Sequence, residues 1–221
     1  MAKLYGIGVG PGDKELLTLK AVRTIENCSI IVAPSGMAGG SSIALETAKE
    51  YINKDAEVIV KHFPMGGEEQ EGKIYEAFKT IEDRLKKGKD VAFLTLGDPF
   101  VYSTYIYLLK YIEEMGYETE TIPGITSFCA CASLAKEPLV IGDEPLLILP
   151  GNKINTIKDE KHVVVMKVYK LEEEILNTLE KRGFNYVYIK KAGRDGQEVL
   201  RNREEILKNR EYMSLIIANK K

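Results

Sequence analysis

The sequence predicts an α/β fold made of two α/β domains. Short runs rich in Val and Ile alternate with longer segments of helical periodicity along all 221 residues, which is the pattern of βα units. The alternation restarts after Pro123, and no repeat of roughly 20–50 residues is visible that would indicate a solenoid. We therefore expect an N-terminal domain over residues 1–121 and a C-terminal domain over residues 122–221, with an active-site cleft between them.

Most predicted strands are short apolar runs, and the predicted helices are longer stretches with apolar residues three or four apart. In the first domain this gives strands 4–9, 29–32, 57–60, 91–94 and 118–121, separated by helices 16–26, 43–51, 73–87 and 104–115. An acidic run over 68–71 is expected to be a solvated loop before the third helix. In the second domain a helix over 126–135 precedes strands 146–149 and 163–167, a helix over 171–181, and strands 186–190 and 214–218.

Composition and charge exclude several classes of function. With 44% hydrophobic and 29% charged residues the chain is typical of soluble globular proteins, and its net charge of −2 gives no bulk positive charge for binding nucleic acid or membranes. The charge is unevenly distributed: residues 1–150 carry 15 basic and 22 acidic side chains, whereas residues 151–221 carry 16 and 11. The two parts of the chain therefore differ in electrostatic character.

Three cysteines and two histidines bear on location and metal binding. The first residues lack the apolar region of a secretory signal, and no apolar run approaches the roughly 20 residues that span a bilayer, so we expect a cytoplasmic protein. Cys129 and Cys131 have the wrong spacing for a zinc knuckle and are expected to be small buried residues. Neither His62 nor His162 is spaced as a ligand from another His, Cys or carboxylate, so no metal site is expected.

Three loops with glycine follow predicted strands, over residues 5–13, 96–104 and 122–128. Glycine lets the backbone turn sharply and approach a ligand, and open α/β sheets bind ligands at the carboxyl ends of their strands. The first loop is not a dinucleotide fingerprint, because the G-x-G-x-x-G spacing ends on Pro11 or Asp13, and no phosphate-binding P-loop is present. Taken singly, each loop also fits a structural role: a turn with Asp13 near a helix start, a turn with Ser103 or Thr104 as a cap, and a helix N-cap at residues 126–127.

Taken together and in this order, the three loops resemble a known family. The runs Gly8-x-Gly10-Pro11-Gly12-Asp13, Gly97-Asp98-Pro99 and Pro123-Gly124-Ile125-Thr126-Ser127 are similar to those of the tetrapyrrole methylases, the class III S-adenosylmethionine-dependent methyltransferases. The continuation Tyr102-Ser103-Thr104-Tyr105 and the run Gly142-Asp143-Glu144-Pro145 resemble the branch that methylates carbon 20 of the corrin precursor. Lys14 departs from the family pattern, since many relatives have Pro there.

The resemblance implies a homodimer of two-domain subunits that binds S-adenosylmethionine in the cleft and a tetrapyrrole in an open trough beside it. It implies that the cofactor is contacted by Gly97, Asp98, Pro99, Val101, Tyr102, Thr126, Ser127, Met166, Ala192 and Ile217. The substrate-binding residues it implies are Gly10, Pro11, Gly12, Asp13 and Ser103, and because the substrate carries eight carboxylates, Lys153, Lys190, Lys191 and Arg194 are added as candidate partners for them. A positioning mechanism is expected, with Asp13 and Tyr102 as the catalytic candidates.

The implied reaction is methylation of C(20) of precorrin-2 or its cobalt-chelated counterpart, cobalt-factor II, in cobalamin biosynthesis. Any cobalt would arrive inside the tetrapyrrole. One alternative keeps the family and changes the acceptor, to uroporphyrinogen, another precorrin carbon or an RNA ribose hydroxyl. The other is a non-catalytic tetrapyrrole- or nucleotide-binding regulator that retains the loops.

Overall fold

The structure is a computed structural model that describes residues 2–36, 40–62 and 70–220. The chain divides into two compact units, Met1–Thr126 and Ser127–Lys221, and each is built on one five-stranded sheet with helices. The predicted α/β class is confirmed. Over the same described ranges, every helix is too short or too polar to cross a bilayer.

The first unit is a parallel α/β sheet. Its strands are β1 (Lys3–Gly8), β2 (Ile30–Ser35), β3 (Glu57–His62), β4 (Val91–Thr95) and β5 (Glu118–Ile122), and its helices are α1 (Leu19–Asn27), α2 (Ile43–Ala48), α3 (Gln70–Lys86) and α4 (Tyr105–Glu114). The strand order is β3-β2-β4-β1-β5, with all neighbours parallel. The carboxyl ends of β4, β1 and β5 therefore lie side by side at one edge of the sheet.

Apolar side chains of this sheet are buried on both faces, which is why strands β2 and β4 read as nearly continuous apolar runs. Leu4 and Phe93 belong to the core that contains residues of α3 and α4, whereas Ile7 and Leu94 belong to the core that contains residues of α1 and α2. The core on the α4 side is packed tightly at β1: a Cβ on Gly6 would lie 2.0 Å from the ring of Tyr105.

The second unit has a mixed sheet. Its strands are β6 (Leu146–Pro150), β7 (His162–Met166), β8 (Asn185–Lys190), β9 (Glu198–Leu200) and β10 (Ser214–Asn219), and its helices are α5 (Ser127–Ala135), α6 (Glu172–Lys181) and α7 (Arg203–Lys208). The order is β6-β7-β10-β8-β9, and β10 is antiparallel to both β7 and β8. The ends of β6, β7 and β8 and the start of β10 therefore share one edge.

Several predicted boundaries need correction. The first long helix begins at Leu19 rather than residue 16, because Lys14–Leu16 forms a separate 3-10 turn and Thr18 caps α1. The third helix begins at Gln70, so residues 70 and 71 are helical rather than part of the predicted acidic loop, while Glu68 and Glu69 lie outside the described residues. Strand β9, helix α7 and the 3-10 helix Gly151–Thr156 were not predicted.

The cysteines differ from one another. Cys131 is buried as expected, Cys28 is buried as well, and burial raises the pKa of each of these two thiols from 9.0 to about 12. Cys129 is exposed, so the prediction of a buried residue there was wrong. Alternating burial along α5 explains the difference, since residue 131 faces the sheet and residue 129 does not.

Candidate active site

The first two glycine loops are joined by a pair of backbone hydrogen bonds. The Gly97 amide donates to the carbonyl oxygen of Gly10 at 2.7 Å, and the Gly10 amide donates to the carbonyl of Gly97 at 3.3 Å. This isolated antiparallel bridge lies just beyond the parallel strands β1 and β4. It fixes the two loops against each other without any side chain.

The third loop packs against the other two through glycine backbone. A Cβ built on Gly124 would lie 2.2 Å from the carbonyl oxygen of Gly97, and one built on Gly8 would lie 2.5 Å from the amide nitrogen of Gly124. These distances are too short for any side chain, because carbon and oxygen atoms need more than 3 Å. The three loops therefore require glycine at positions 8 and 124 in order to meet.

Asp98 connects the second loop to the third. One carboxylate oxygen accepts a hydrogen bond from the amide of Phe100 at 2.9 Å, and the other accepts from the amide of Gly124 at 3.1 Å. Hydrogen bonds to an ionised group are stronger than neutral ones, so this side chain stabilises the arrangement of both loops. Its contact with the cofactor, expected from the resemblance, stays a prediction.

Open space and an unsatisfied hydroxyl mark this edge as a place for a ligand. Gly97 has φ of +76° and would have no atom within 4 Å of an added Cβ. Thr126 Oγ is buried and has no hydrogen-bond partner among the described residues, and such groups are rare in folded proteins unless something else satisfies them. Tyr102, with φ of 50°, holds a left-handed conformation in the same loop and is 46% exposed.

Other residues predicted for this edge have structural contacts as well. Asp13 accepts from the amide of Glu15 at 2.9 Å and caps the 3-10 turn, while Ser103 Oγ accepts from the amide of Tyr105 at 3.0 Å. Pro11 and Pro99 are buried, Gly12 has φ of 128°, and Val101 is partly buried. The turn and capping roles considered for the first two loops are thus present, and they leave free lone pairs on Asp13 and Ser103.

In the second unit, the predicted cofactor residues lie at several positions of the sheet. Met166 ends β7 and is partly buried, Ser127 begins α5, and Ala192 packs against the core beneath α5. Ile217 is only 1% exposed and belongs to that same core. Its side chain is therefore occupied by packing, which makes it the least favourable of the predicted contacts.

The predicted cations of the second unit differ in their partners. Lys190 pairs with Glu198 at 3.1 Å and Lys191 pairs with Glu211 at 3.3 Å, while Lys153 is exposed on a 3-10 helix. Arg194 is partly buried, and burial lowers the pKa of its guanidinium despite the nearby Glu211. The pairing role of Glu211 was missed from the sequence, because no local pattern connects residues 191 and 211.

The described residues contain no cluster of three or more His, Cys, Asp or Glu side chains able to hold a metal ion. His62 Nδ1 lies 3.3 Å from the carbonyl oxygen of Ser35, and His162 is buried at the start of β7. These two histidines therefore occupy structural positions in their sheets.

Several relatives with assigned names match this chain over most of its length. It is 37% identical over 201 residues to a probable cobalt-precorrin-2 C(20)-methyltransferase of Methanocaldococcus jannaschii, covering 90% of this chain and 86% of the relative. It is 34% identical to a cobalt-precorrin-2 C(20)-methyltransferase of Salmonella typhimurium, covering 99% and 96%. A precorrin-2 C(20)-methyltransferase of a Sinorhizobium species is 28% identical over 98% of this chain and 95% of the relative.

Solved structures share the fold. A cobalt precorrin-4 methyltransferase superposes with a TM-score of 0.78 at 20% identity, covering 98% of this chain and 94% of that one. A uroporphyrin-III C-methyltransferase of Thermus thermophilus, complexed with S-adenosyl homocysteine, superposes with a TM-score of 0.77 at 19% identity, covering 99% and 98%. The model of the family of tetrapyrrole (corrin/porphyrin) methylases matches residues 3–207. The chain belongs to the tetrapyrrole methylase family.

Proposed function

We propose that this protein transfers a methyl group from S-adenosylmethionine to C(20) of precorrin-2, in its cobalt-chelated form, during cobalamin biosynthesis. The observation that carries the proposal is the interlocked set of three glycine loops at the carboxyl ends of β4, β1 and β5, in a chain whose relatives are named as C(20)-methyltransferases. The cobalt-containing substrate is favoured because the two relatives named for it share 37% and 34% identity, against 28% for the relative named for the metal-free one.

The residues of the three glycine loops, at the carboxyl ends of β4, β1 and β5, fit the methyl donor. S-adenosylmethionine supplies a methyl group on a positively charged sulfur and offers hydroxyl, amine and carboxylate groups for hydrogen bonding. Gly97 leaves open space where a side chain would stand, and Thr126 Oγ is buried without a partner among the described residues. We propose that Gly97, Asp98, Val101, Tyr102, Thr126 and Ser127 hold the donor, with Met166 as a further contact.

The chain's own contribution to the reaction is positioning. In methyl transfer the C(20)–methyl bond forms as the methyl–sulfur bond breaks, and the proton on C(20) leaves afterwards. Correct placement, with the reacting atoms about 3–3.5 Å apart, supplies on the order of 7–11 kcal/mol of the barrier reduction in well-oriented reactions. The backbone bridge between Gly10 and Gly97 and the two bonds of Asp98 provide a rigid support of this kind.

Two further parts of the proposal concern the residues that face the tetrapyrrole. Asp13 has an acceptor lone pair beyond the one used for its cap, so it is our first candidate to accept the proton from C(20), with Tyr102 as the second. Gly10, Pro11, Gly12 and Ser103 are proposed to contact the flat ring. Replacement of Asp13 by Asn should lower kcat more than it raises KM for the tetrapyrrole.

We also propose a homodimer and a cytoplasmic location. The three thiols, two of them buried, suit a reducing compartment. Light scattering of the purified protein at micromolar concentration tests the first point, and fractionation of the source cells tests the second.

The experiment for the reaction uses one preparation of the purified protein with S-adenosylmethionine and either factor II or cobalt-factor II. We expect one added methyl by mass spectrometry, at C(20) by NMR, with the cobalt substrate preferred. Methylation of uroporphyrinogen or of another carbon would replace the proposed acceptor. Binding of both ligands without turnover would favour the non-catalytic regulator. If the protein is an enzyme, Asp98→Ala should lose methylation activity, whereas loss of ligand binding in Asp98→Ala with no methylation in the wild type would favour the regulator.

A further inference from the structure

Arg194 is the unusual member of the basic residues at the edge of the second sheet. Among the described residues, its buried Nε has no hydrogen-bond partner and its side chain forms no ion pair. Lys190 and Lys191, in the same stretch of chain, each have a carboxylate within 3.3 Å. Of these three cations, Arg194 is the one without a carboxylate at ion-pair distance among the described residues.

The loop that carries Arg194 is rigid. The Arg194 amide donates to the carbonyl of Lys191 at 3.0 Å, its carbonyl accepts from the amide of Gln197 at 3.1 Å, and the side chain of Gln197 accepts from the amide of Gly193 at 3.2 Å. Lys191 has φ of 50°, a left-handed conformation that is costly for a residue with a side chain. Strain and internal bonding of this kind are features of loops that hold a ligand-binding group in place.

Glu211 is the carboxylate whose charge acts on Arg194, but its own side chain already has other partners. Its side chain pairs with Lys191 at 3.3 Å and accepts from the amide of Met213 at 3.3 Å. The amide of Lys191 also donates to the carbonyl of Met213 at 2.8 Å, so the loop is attached to the start of β10. Glu211 raises the pKa of Arg194, but burial outweighs it and the pKa of the guanidinium is lowered.

A partly buried guanidinium without a partner is unfavourable in the free protein, because its hydration is reduced and nothing replaces it. An incoming carboxylate would reduce that cost by pairing with the positively charged guanidinium. The site also lies on the same sheet edge as Met166, since β10 pairs with both β7 and β8 there.

We propose that Arg194 is the residue of this edge that binds a carboxylate of the ligand and thereby determines affinity for carboxylate-bearing ligands. The inference rests on the proposed function for the ligand's identity: the carboxylate belongs either to a peripheral acid group of the tetrapyrrole or to the amino-acid end of the methyl donor. Lys190 and Lys191 support the loop through their ion pairs instead of binding the ligand directly.

The test measures dissociation constants of wild type, Arg194→Gln and Arg194→Lys by calorimetry. The probes are factor II, S-adenosylhomocysteine, and 5′-methylthioadenosine, which lacks the amino-acid carboxylate. Lys181→Gln is the control, because Lys181 is an exposed residue in the last turn of α6. Removing a charge-assisted pair should weaken binding of the carboxylate ligand about 10- to 100-fold, with a smaller loss for Arg194→Lys.

Each outcome decides the matter. Weaker binding of factor II alone identifies the tetrapyrrole as the source, and weaker binding of S-adenosylhomocysteine but not of 5′-methylthioadenosine identifies the donor. Unchanged binding of both carboxylate ligands overturns the inference, and so does equal weakening of all three probes. The melting temperature of free Arg194→Gln should equal or exceed that of wild type, and a clear decrease would instead show a structural role.

The methylation assay on wild type separates this inference from the proposed function. Turnover of cobalt-factor II with binding insensitive to Arg194→Gln keeps the function and rejects the role of Arg194. If the protein shows no turnover but its binding of carboxylate ligands depends on Arg194, the role of Arg194 is kept and the proposed function is rejected.

Discussion

Replacement of Gly124 by Ala tests the interlocked loops directly. The new Cβ would lie 2.2 Å from the carbonyl oxygen of Gly97 and 2.8 Å from the carbonyl carbon of Gly8, so the loops must separate by roughly 1 Å to reach normal contact distance. Such a shift lengthens the bond from the Gly124 amide to Asp98, now 3.1 Å, beyond hydrogen-bonding range.

The expected cost follows from these two effects. Overpacking costs about 1–3 kcal/mol, and loss of a hydrogen bond to a charged group costs about 1.5–3 kcal/mol. We therefore expect Gly124→Ala to lose about 2.5–6 kcal/mol of unfolding free energy in urea titrations, to melt about 10 °C lower, and to bind S-adenosylhomocysteine at least about tenfold more weakly.

Gly36→Ala is the matched control, since Gly36 is exposed and has no atom within 4 Å of an added Cβ. Its unfolding free energy should stay within about 0.5 kcal/mol of wild type. If Gly124→Ala has the stability and the ligand affinity of that control, the reasoning about backbone packing at this edge is refuted.

Three other predictions concern single side chains. Asp98→Asn should lose about 1–3 kcal/mol of stability, because an amide cannot accept from both backbone N–H groups; the exposed Asp195→Asn should show no loss in the same urea titration. Native protein should react with a thiol reagent at one cysteine in the fast phase at pH 8, and Cys129→Ser should remove that phase, because the two other thiols have pKa values of about 12. The pKa of Glu82 is lowered by hydrogen bonds from Lys86 and Tyr111, so its stabilisation is present above pH 4.5 and is lost as the pH falls. Glu82→Gln should therefore cost about 1 kcal/mol of unfolding free energy at pH 7 and progressively less below about pH 4. An equal cost at pH 7 and in the acidic range would contradict this interpretation.

The regular elements of the first unit were predictable because both faces of a parallel sheet are buried. Ile31 and Leu94, for example, stand in strands that are apolar at nearly every position. The elements that were missed are those with too few residues for a period to appear. Strand β9 has three residues and helix α7 has six, and an edge strand of that length pairs on one side only. Local sequence carries little information about such elements, because tertiary contacts determine them.

The candidate site was predictable in its residues but not in its contacts. The glycine loops could be located because each follows a strand, yet only the strand order β4-β1-β5 shows that they meet. That order places the first strand between the fourth and the fifth, so the bond from Gly124 to Asp98 joins residues 26 positions apart. Likewise, the sequence could not show that Lys191 is paired and Arg194 is not.

The backbone construction of the site follows from the reaction we propose. Methyl transfer from a sulfonium needs no strong acid or base in the transfer step itself, so the chain has little to gain from reactive side chains and much to gain from fixed geometry. A side chain at Gly8 or Gly124 would both separate the loops and add rotamer freedom at the point where the donor must be held still. Backbone groups have no such freedom once their hydrogen bonds are formed. A methyltransferase of this kind should therefore tolerate loss of the Asp13 carboxylate better than a side chain at these glycines, and the ratio of activity lost in Gly8→Ala to activity lost in Asp13→Asn measures that difference.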